Sequence, residues 1–323
     1  MKDKIEFMAH GNTYYIPNSW DQLNSYLFIS LIRDFNRMVK GELSPAMVRV
    51  NYVCNVMGWK PKKIRGEESF QNLAFLAEQV TFPFVIMYPD NDMALSEMDP
   101  ETRKLCKKTP PERLTCLPIA RYLSRLDYKF AFDCCFCKQL VPAVVIDDDI
   151  YSAYSIDTNF NVLTCSLTAL QYIEARALIG KSVDMLPLLA AILYNPGTYT
   201  SEGAHRLATV FAKLPEDELQ AIAFNFQAFN NYLFTQTDFR LLTAAKEGKC
   251  SAIRTGALES LYNLSNDGLG DITAVEQMNV IKYLTILRKK IIETVRSMDA
   301  MKMEKADIEK ETGLPLHIIN QIL

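Results

Sequence analysis

EDELQAIAFNFQAFNNYLF, residues 216–234, decides how the larger part of this chain is read. Leu219, Ile222, Phe226, Phe229 and Leu233 recur at intervals of three and four and share one helix face, while Ala221, Phe224, Ala228 and Tyr232 populate the opposite one. A helix that is apolar on both sides is buried on both sides. Either it forms the centre of a helical domain, the preferred reading, or it offers its second face to another chain. In the second case Phe224 and Tyr232 face the partner, and Phe226 and Phe229 stay in the core.

Outward from that helix the pattern stays helical from about residue 163 almost to the end, with breaks at Gly180, Pro196-Gly197, Pro215, Gly248, Gly268-Leu269-Gly270 and Gly313. The second half is therefore expected to be all-α. Thr273, with Glu276 as capping partner, opens a helix striped by Val280, Leu284, Leu287, Ile291, Val295 and Met298, with Arg288, Lys289 and Lys290 turned away. The stripe closes the domain or pairs with a partner helix, which adds Leu284, Leu287 and Ile291 to the candidate protein-binding residues. A second copy of the chain can be that partner as well as a different protein. In the last nineteen residues, Ile308, Gly313, Leu314, Ile319 and Ile322 have helix-turn-helix spacing. Glu309 stands where the helices cross, and His317 to Leu323 holds no Lys or Arg to reach phosphates, so a closing helical hairpin is preferred over a DNA reader.

Toward the N-terminus, Ile5 to Met8 and Thr13 to Ile16 flank Gly11-Asn12, which predicts a β-hairpin. Ser19 with Gln22 reads as a capping box for a helix through Trp20, Leu23, Leu27, Leu31 and Phe35, ending near residue 38. Ser44-Pro45 and Gly58 bracket a second helix, and Phe70, Leu73, Leu76 and Val80 a third. From Thr81 to Val141, Pro83, Pro89, Pro100, Pro110, Pro111 and Pro118 punctuate short apolar pieces. The predicted architecture is mainly α. It has a hairpin-plus-helices α+β domain over 1–80, an irregular connector with some strand over 81–160, and a helical domain over 161–323.

Thirty-five basic and 38 acidic residues give a net charge of −3, without the positive field that phosphate binding needs, so nucleic acid is disfavoured as a partner. Met1 to Phe7 alternates charged and apolar residues where a secretion signal has a continuous apolar run. Runs such as Met185 to Tyr194 reach about half of the ~20 residues that span a bilayer. Eight scattered cysteines suit reduced thiols, and the cytoplasm is the expected location.

Ala175 to Ser182 fits a relaxed phosphate-loop pattern ending in Gly180-Lys181-Ser182, and Val144 to Asp147 resembles a magnesium-holding strand. Such a loop needs a strand before it, whereas Leu167 to Leu178 reads as a helix, so a helix end at Gly180 is preferred. Asp147, Asp148 and Asp149 read as a solvated turn, and Cys134, Cys135 and Cys137, lacking a second ligand pair, as buried structural thiols. His10, His205 and His317 accompany no nucleophile elbow. No cofactor, metal or catalytic residue is expected.

Thr13-Tyr14-Tyr15-Ile16-Pro17-Asn18-Ser19-Trp20-Asp21-Gln22-Leu23-Asn24, a hairpin strand turning into a helix, resembles the opening of phage tail-assembly, chaperone-like proteins of Bacteroidetes phages and prophages. Leu167 to Ile173 followed by Leu186 to Tyr194 is similar to the helical part of the same group. The resemblance implies a protein-binding factor of virion morphogenesis in the host cytoplasm, shielding apolar segments of a tail or tape-measure protein. Two alternatives stand beside it, a permanent structural component of the virion and a nucleotide-dependent enzyme using Lys181 and Asp147.

Overall fold

The computed structural model describes residues 3–9, 11–60, 64, 66–88, 95, 97–114, 116–244 and 258–323. Met1, His10, Pro89 and Gly248, named above, lie outside the described residues, as does Cys250, one of the eight cysteines. Helices hold 59% of the chain and the strands form only two-stranded sheets, so the fold is mainly α with a small α+β part. Two compact units divide the chain, Met1–Cys134 and Cys135–Leu323. Residues 81–160, read as a connector, are shared between them.

The first unit opens with β1 (Lys4–Ala9) and β2 (Asn12–Pro17), antiparallel with Ile5 opposite Ile16 and Phe7 opposite Tyr14. Gly11, at φ +77°, takes the left-handed position that the turn needs. The next helix does not start at Ser19. Ser19 caps nothing through its side chain, residues 20–22 form a 3-10 turn that buries Trp20, and α1 (Ser25–Val39) is capped by Asn24, whose Oδ1 accepts from Leu27 N at 2.9 Å. The serine spacing suits a turn as well as a helix, and burial of the indole against Phe28 and Phe82 decides between them. α2 (Pro45–Met57) follows its signals: Ser44 Oγ accepts from Met47 N at 3.3 Å, and Gly58 ends the helix at φ +66°. α3 (Glu67–Glu78) buries Leu73, while Phe70 of the predicted stripe is exposed.

The proline-punctuated stretch carries β3 (Phe84–Met87), α4 (Pro100–Lys108), α5 (Ala120–Leu123) and β4 (Lys129–Phe132), with β3 antiparallel to β4. Phe35 of α1 stacks on Phe132 at 3.6 Å and meets Phe84 edge-on at 5.7 Å, which ties this strand pair into the core. A satellite cluster of Ile86, Leu95, Cys106, Leu114 and Leu123 fills out the stretch. Lys108 is held inside by the carbonyls of Phe82 (3.0 Å) and Phe84 (2.9 Å) and by the Asp133 carboxylate.

The second unit begins with two small strand pairs, β5 (Ala143–Ile146) with β6 (Asp149–Ser152) and β7 (Ile156–Asp157) with β8 (Thr164–Cys165). Helices follow: α6 (Ala169–Leu178), α7 (Leu186–Leu193), α8 (Ser201–Phe211) and α9 (Glu216–Gln236). After them come α10 (Leu258–Leu264), α11 (Ile272–Glu276), α12 (Val280–Ala300), α13 (Lys305–Thr312) and α14 (Leu316–Ile322).

On one face of α9, Phe226 and Phe229 are fully buried and surround Tyr154 at 6.2 and 5.9 Å. On the other, Ala221 and Ala228 are equally buried, and the chain itself covers them. Asn225 Oδ1 accepts from Leu140 N at 2.7 Å and its Nδ2 donates to Lys138 O at 2.8 Å, clamping the extended 138–140 segment to the helix.

α12 does not begin at Thr273. Asp271 caps the short α11, and Asn279 caps α12. Between the two, Met278 O accepts from Ala169 N at 2.7 Å and Val280 N donates to Leu167 O at 2.9 Å, which draws the chain out of helix there. The α12 stripe appears with Val280, Leu284 and Val295 buried and Leu287, Ile291 and Met298 half-buried. Arg288, read as turned away, is also half-buried. Val295 packs with Leu241, Ile308, Leu314 and Ile319, so α13 and α14, hinged at Gly313 (φ +69°), close this end of the unit.

Candidate functional site

The first unit carries a groove of about 1010 Å³ between the hairpin tip, the end of α2 and α3. Phe7 and Tyr14 are cross-strand partners, stack at 5.4 Å and form one wall. Trp59 meets Phe7 edge-on at 6.3 Å. The indole is brought there by the helix end: Trp59 N donates to Cys54 O at 2.9 Å and Gly58 N to Asn55 O at 3.4 Å, the two bonds of a Schellman turn around a left-handed glycine. α3 supplies the opposite wall with Leu73, Phe75 and Leu76.

Two lining residues project strongly into solvent, Met8 at 74% and Phe75 at 70% exposure. Ser69 and Asn72 are the polar lining residues, and no charged side chain is among the described lining. The described lining is suited to apolar contact. Aromatic rings and flexible thioethers adapt to an apolar surface.

The residues singled out in the sequence lie in the second unit, and the structure does not gather them into one site. Phe224 is half-buried with its ring 6.4 Å from Phe136, and Tyr232 is half-buried. Leu284, at 2% exposure, belongs to the core. Leu284 and Leu287 line a small recess of about 180 Å³ with Tyr172 and Arg176, and Ile291 packs against the Val295 cluster. The groove residues had a weak signal: Phe75 stands off the stripe of its helix, and Met8 lies in a strand with no predicted core partner.

Lys181 and Ser182 are exposed and follow the C-terminus of α6, with Gly180 at φ +74° and no strand leading into the segment. Gln171 and Thr168 cap α6 reciprocally at 3.2 and 3.0 Å, so its amides are used within the helix. Asp147 pairs with Lys213. Cys134, Cys135 and Cys137, read as buried thiols, are half-exposed, whereas burial pushes the Cys165 thiol up to about 12. Among the described residues, no three His, Cys, Asp or Glu side chains gather as a metal site, and no helix is long and apolar enough to cross a membrane.

No protein family, no curated protein and no solved structure matches this chain.

Proposed function

We propose that the protein is a non-enzymatic assembly factor that binds an apolar helical segment of a virion protein in the groove of its first unit. The observation that carries this reading is an aromatic- and methionine-lined groove with Met8 and Phe75 exposed and no charged side chain among its described lining. An amphipathic helix lays its apolar side chains into such a groove, and Phe7, Met8, Trp59 and Phe75 offer it adaptable contacts. The phage assignment rests on the resemblance at residues 167–173 with 186–194 and at residues 13–24. The latter residues form β2, which gives Tyr14 to the groove, and the turn that buries Trp20.

The partner on this reading is a tail or tape-measure protein, held in the host cytoplasm until assembly. The test is complementation of virion assembly by Met8→Asp and Phe75→Asp, both at exposed positions that leave the core intact. Assembly is expected to fall with folding unchanged, and the protein is expected to be absent from finished particles. Full assembly by the double variant contradicts the groove, and stoichiometric retention in particles replaces the chaperone with a structural component.

A further inference from the structure

Arg288, Ile292 and Arg296 fall on one stripe of α12, spanning about 12 Å from first to last. The 3-10 turn over 238–243 brings Asp238 and Arg240 to the same recess, which measures about 290 Å³. Arg288 Nη2 reaches the Asp238 carboxylate at 3.3 Å, while its Nε is sealed from solvent with no acceptor among the described residues. Arg296 reaches only the Ile322 carbonyl, at 3.5 Å, the outer limit of a hydrogen bond. Neither Arg240 nor Arg296 has a carboxylate partner among the described residues.

The three guanidinium groups share one carboxylate among the described residues, Asp238, and Arg240 and Arg296 stand exposed, which leaves two positive charges without a described counter-charge. An anion bound among these guanidinium groups offsets that positive charge. We propose that this recess binds a phosphate group carried on a small aliphatic body. A phosphate monoester dianion matches the uncompensated charge better than a single carboxylate does, and guanidinium forks suit its oxygens. Leu241, Ile318 and Ile322, with the Gln321 amide, complete the described wall, and no aromatic ring to stack a base is among the described lining, which selects an aliphatic ester over a nucleotide. This site is separate from the groove of the first unit.

The full chain is titrated with inorganic phosphate and with butyl phosphate at low salt, read by calorimetry and by the arginine Nε–H resonances. Saturable one-to-one binding is expected, tighter for butyl phosphate. Arg240→Gln and Arg296→Gln, at exposed positions, each weaken it about tenfold. Absence of saturable binding, or binding unchanged in the double variant, overturns the proposal. So does a short DNA duplex that binds more tightly than butyl phosphate and loses binding in the same variants. Should the double variant lose its helical signal, the wild-type Arg240 and Arg296 Nε–H resonances still decide, shifting together with phosphate if the site exists and staying in place if it does not.

Discussion

Asp34 lies on the buried side of α1, and burial raises its carboxyl above the ordinary value of 3.8 against the opposing pull of Asn51, Arg37 and Arg33. The folded protein thus holds this proton more tightly than the unfolded chain. The stabilising contribution is present below 3.8 and is lost as pH rises through the raised value. Asp34→Asn is accordingly expected to be more stable than the parent near neutral pH, with the gap closing toward acid. Urea denaturation of both proteins across that range checks it, and a gap independent of pH contradicts the assignment. At the β5–β6 turn, Asp147 (φ 50°) and Asp148 (φ 70°) both occupy the left-handed region of a two-residue hairpin loop. Asp148→Gly relieves one of those conformations and is expected to stabilise the protein by about 0.5–1 kcal/mol. A thermal midpoint that falls instead would show that the Asp148 side chain contributes more than its backbone costs.

Among the elements, α9 makes the sharpest prediction. Phe226 is fully buried, so Phe226→Ala should cost about 3–5 kcal/mol, while Phe224→Ala, at a half-buried position against Phe136, should cost clearly less. Equal losses in chemical denaturation would contradict the difference between the two faces. The two-sided apolar pattern of this helix was legible because helical periodicity is local. What covers the second face was not, because Asn225 meets Lys138 and Leu140 only after the chain has folded back. Caps divide in the same way. Ser44-Pro45 and Gly58 act within one turn and read correctly, whereas Ser19 and Thr273 lose to Asn24 and to the Asp271–Asn279 pair once Trp20 is buried and Met278 binds the 167–169 backbone. The candidate groove draws Phe7, Trp59 and Phe75 from three elements, and no periodicity within any one of them announces that convergence.

For the molecule as a whole, each unit has its own core, and the two carry different surfaces. In the second unit Leu219, Ala228 and Leu284 are buried, and exposed apolar residues such as Phe160, Tyr262 and Met301 line neither of its two recesses named above. The first unit leaves Met8 and Phe75 in solvent around an aromatic wall. Exposed apolar side chains grouped around one groove mark it as the candidate interaction surface. The central claim is that this groove, and not a face of α9 or α12, takes the partner. The direct measurement places a photo-crosslinking residue at position 8, 75, 224 or 232 of the full chain, in cells carrying its native genomic element, and maps the captured peptides. Crosslinks from positions 8 and 75 to one apolar helical stretch of a tail or tape-measure protein, with none from 224 and 232, are the predicted result. Capture from 224 and 232 with none from the groove would contradict the account.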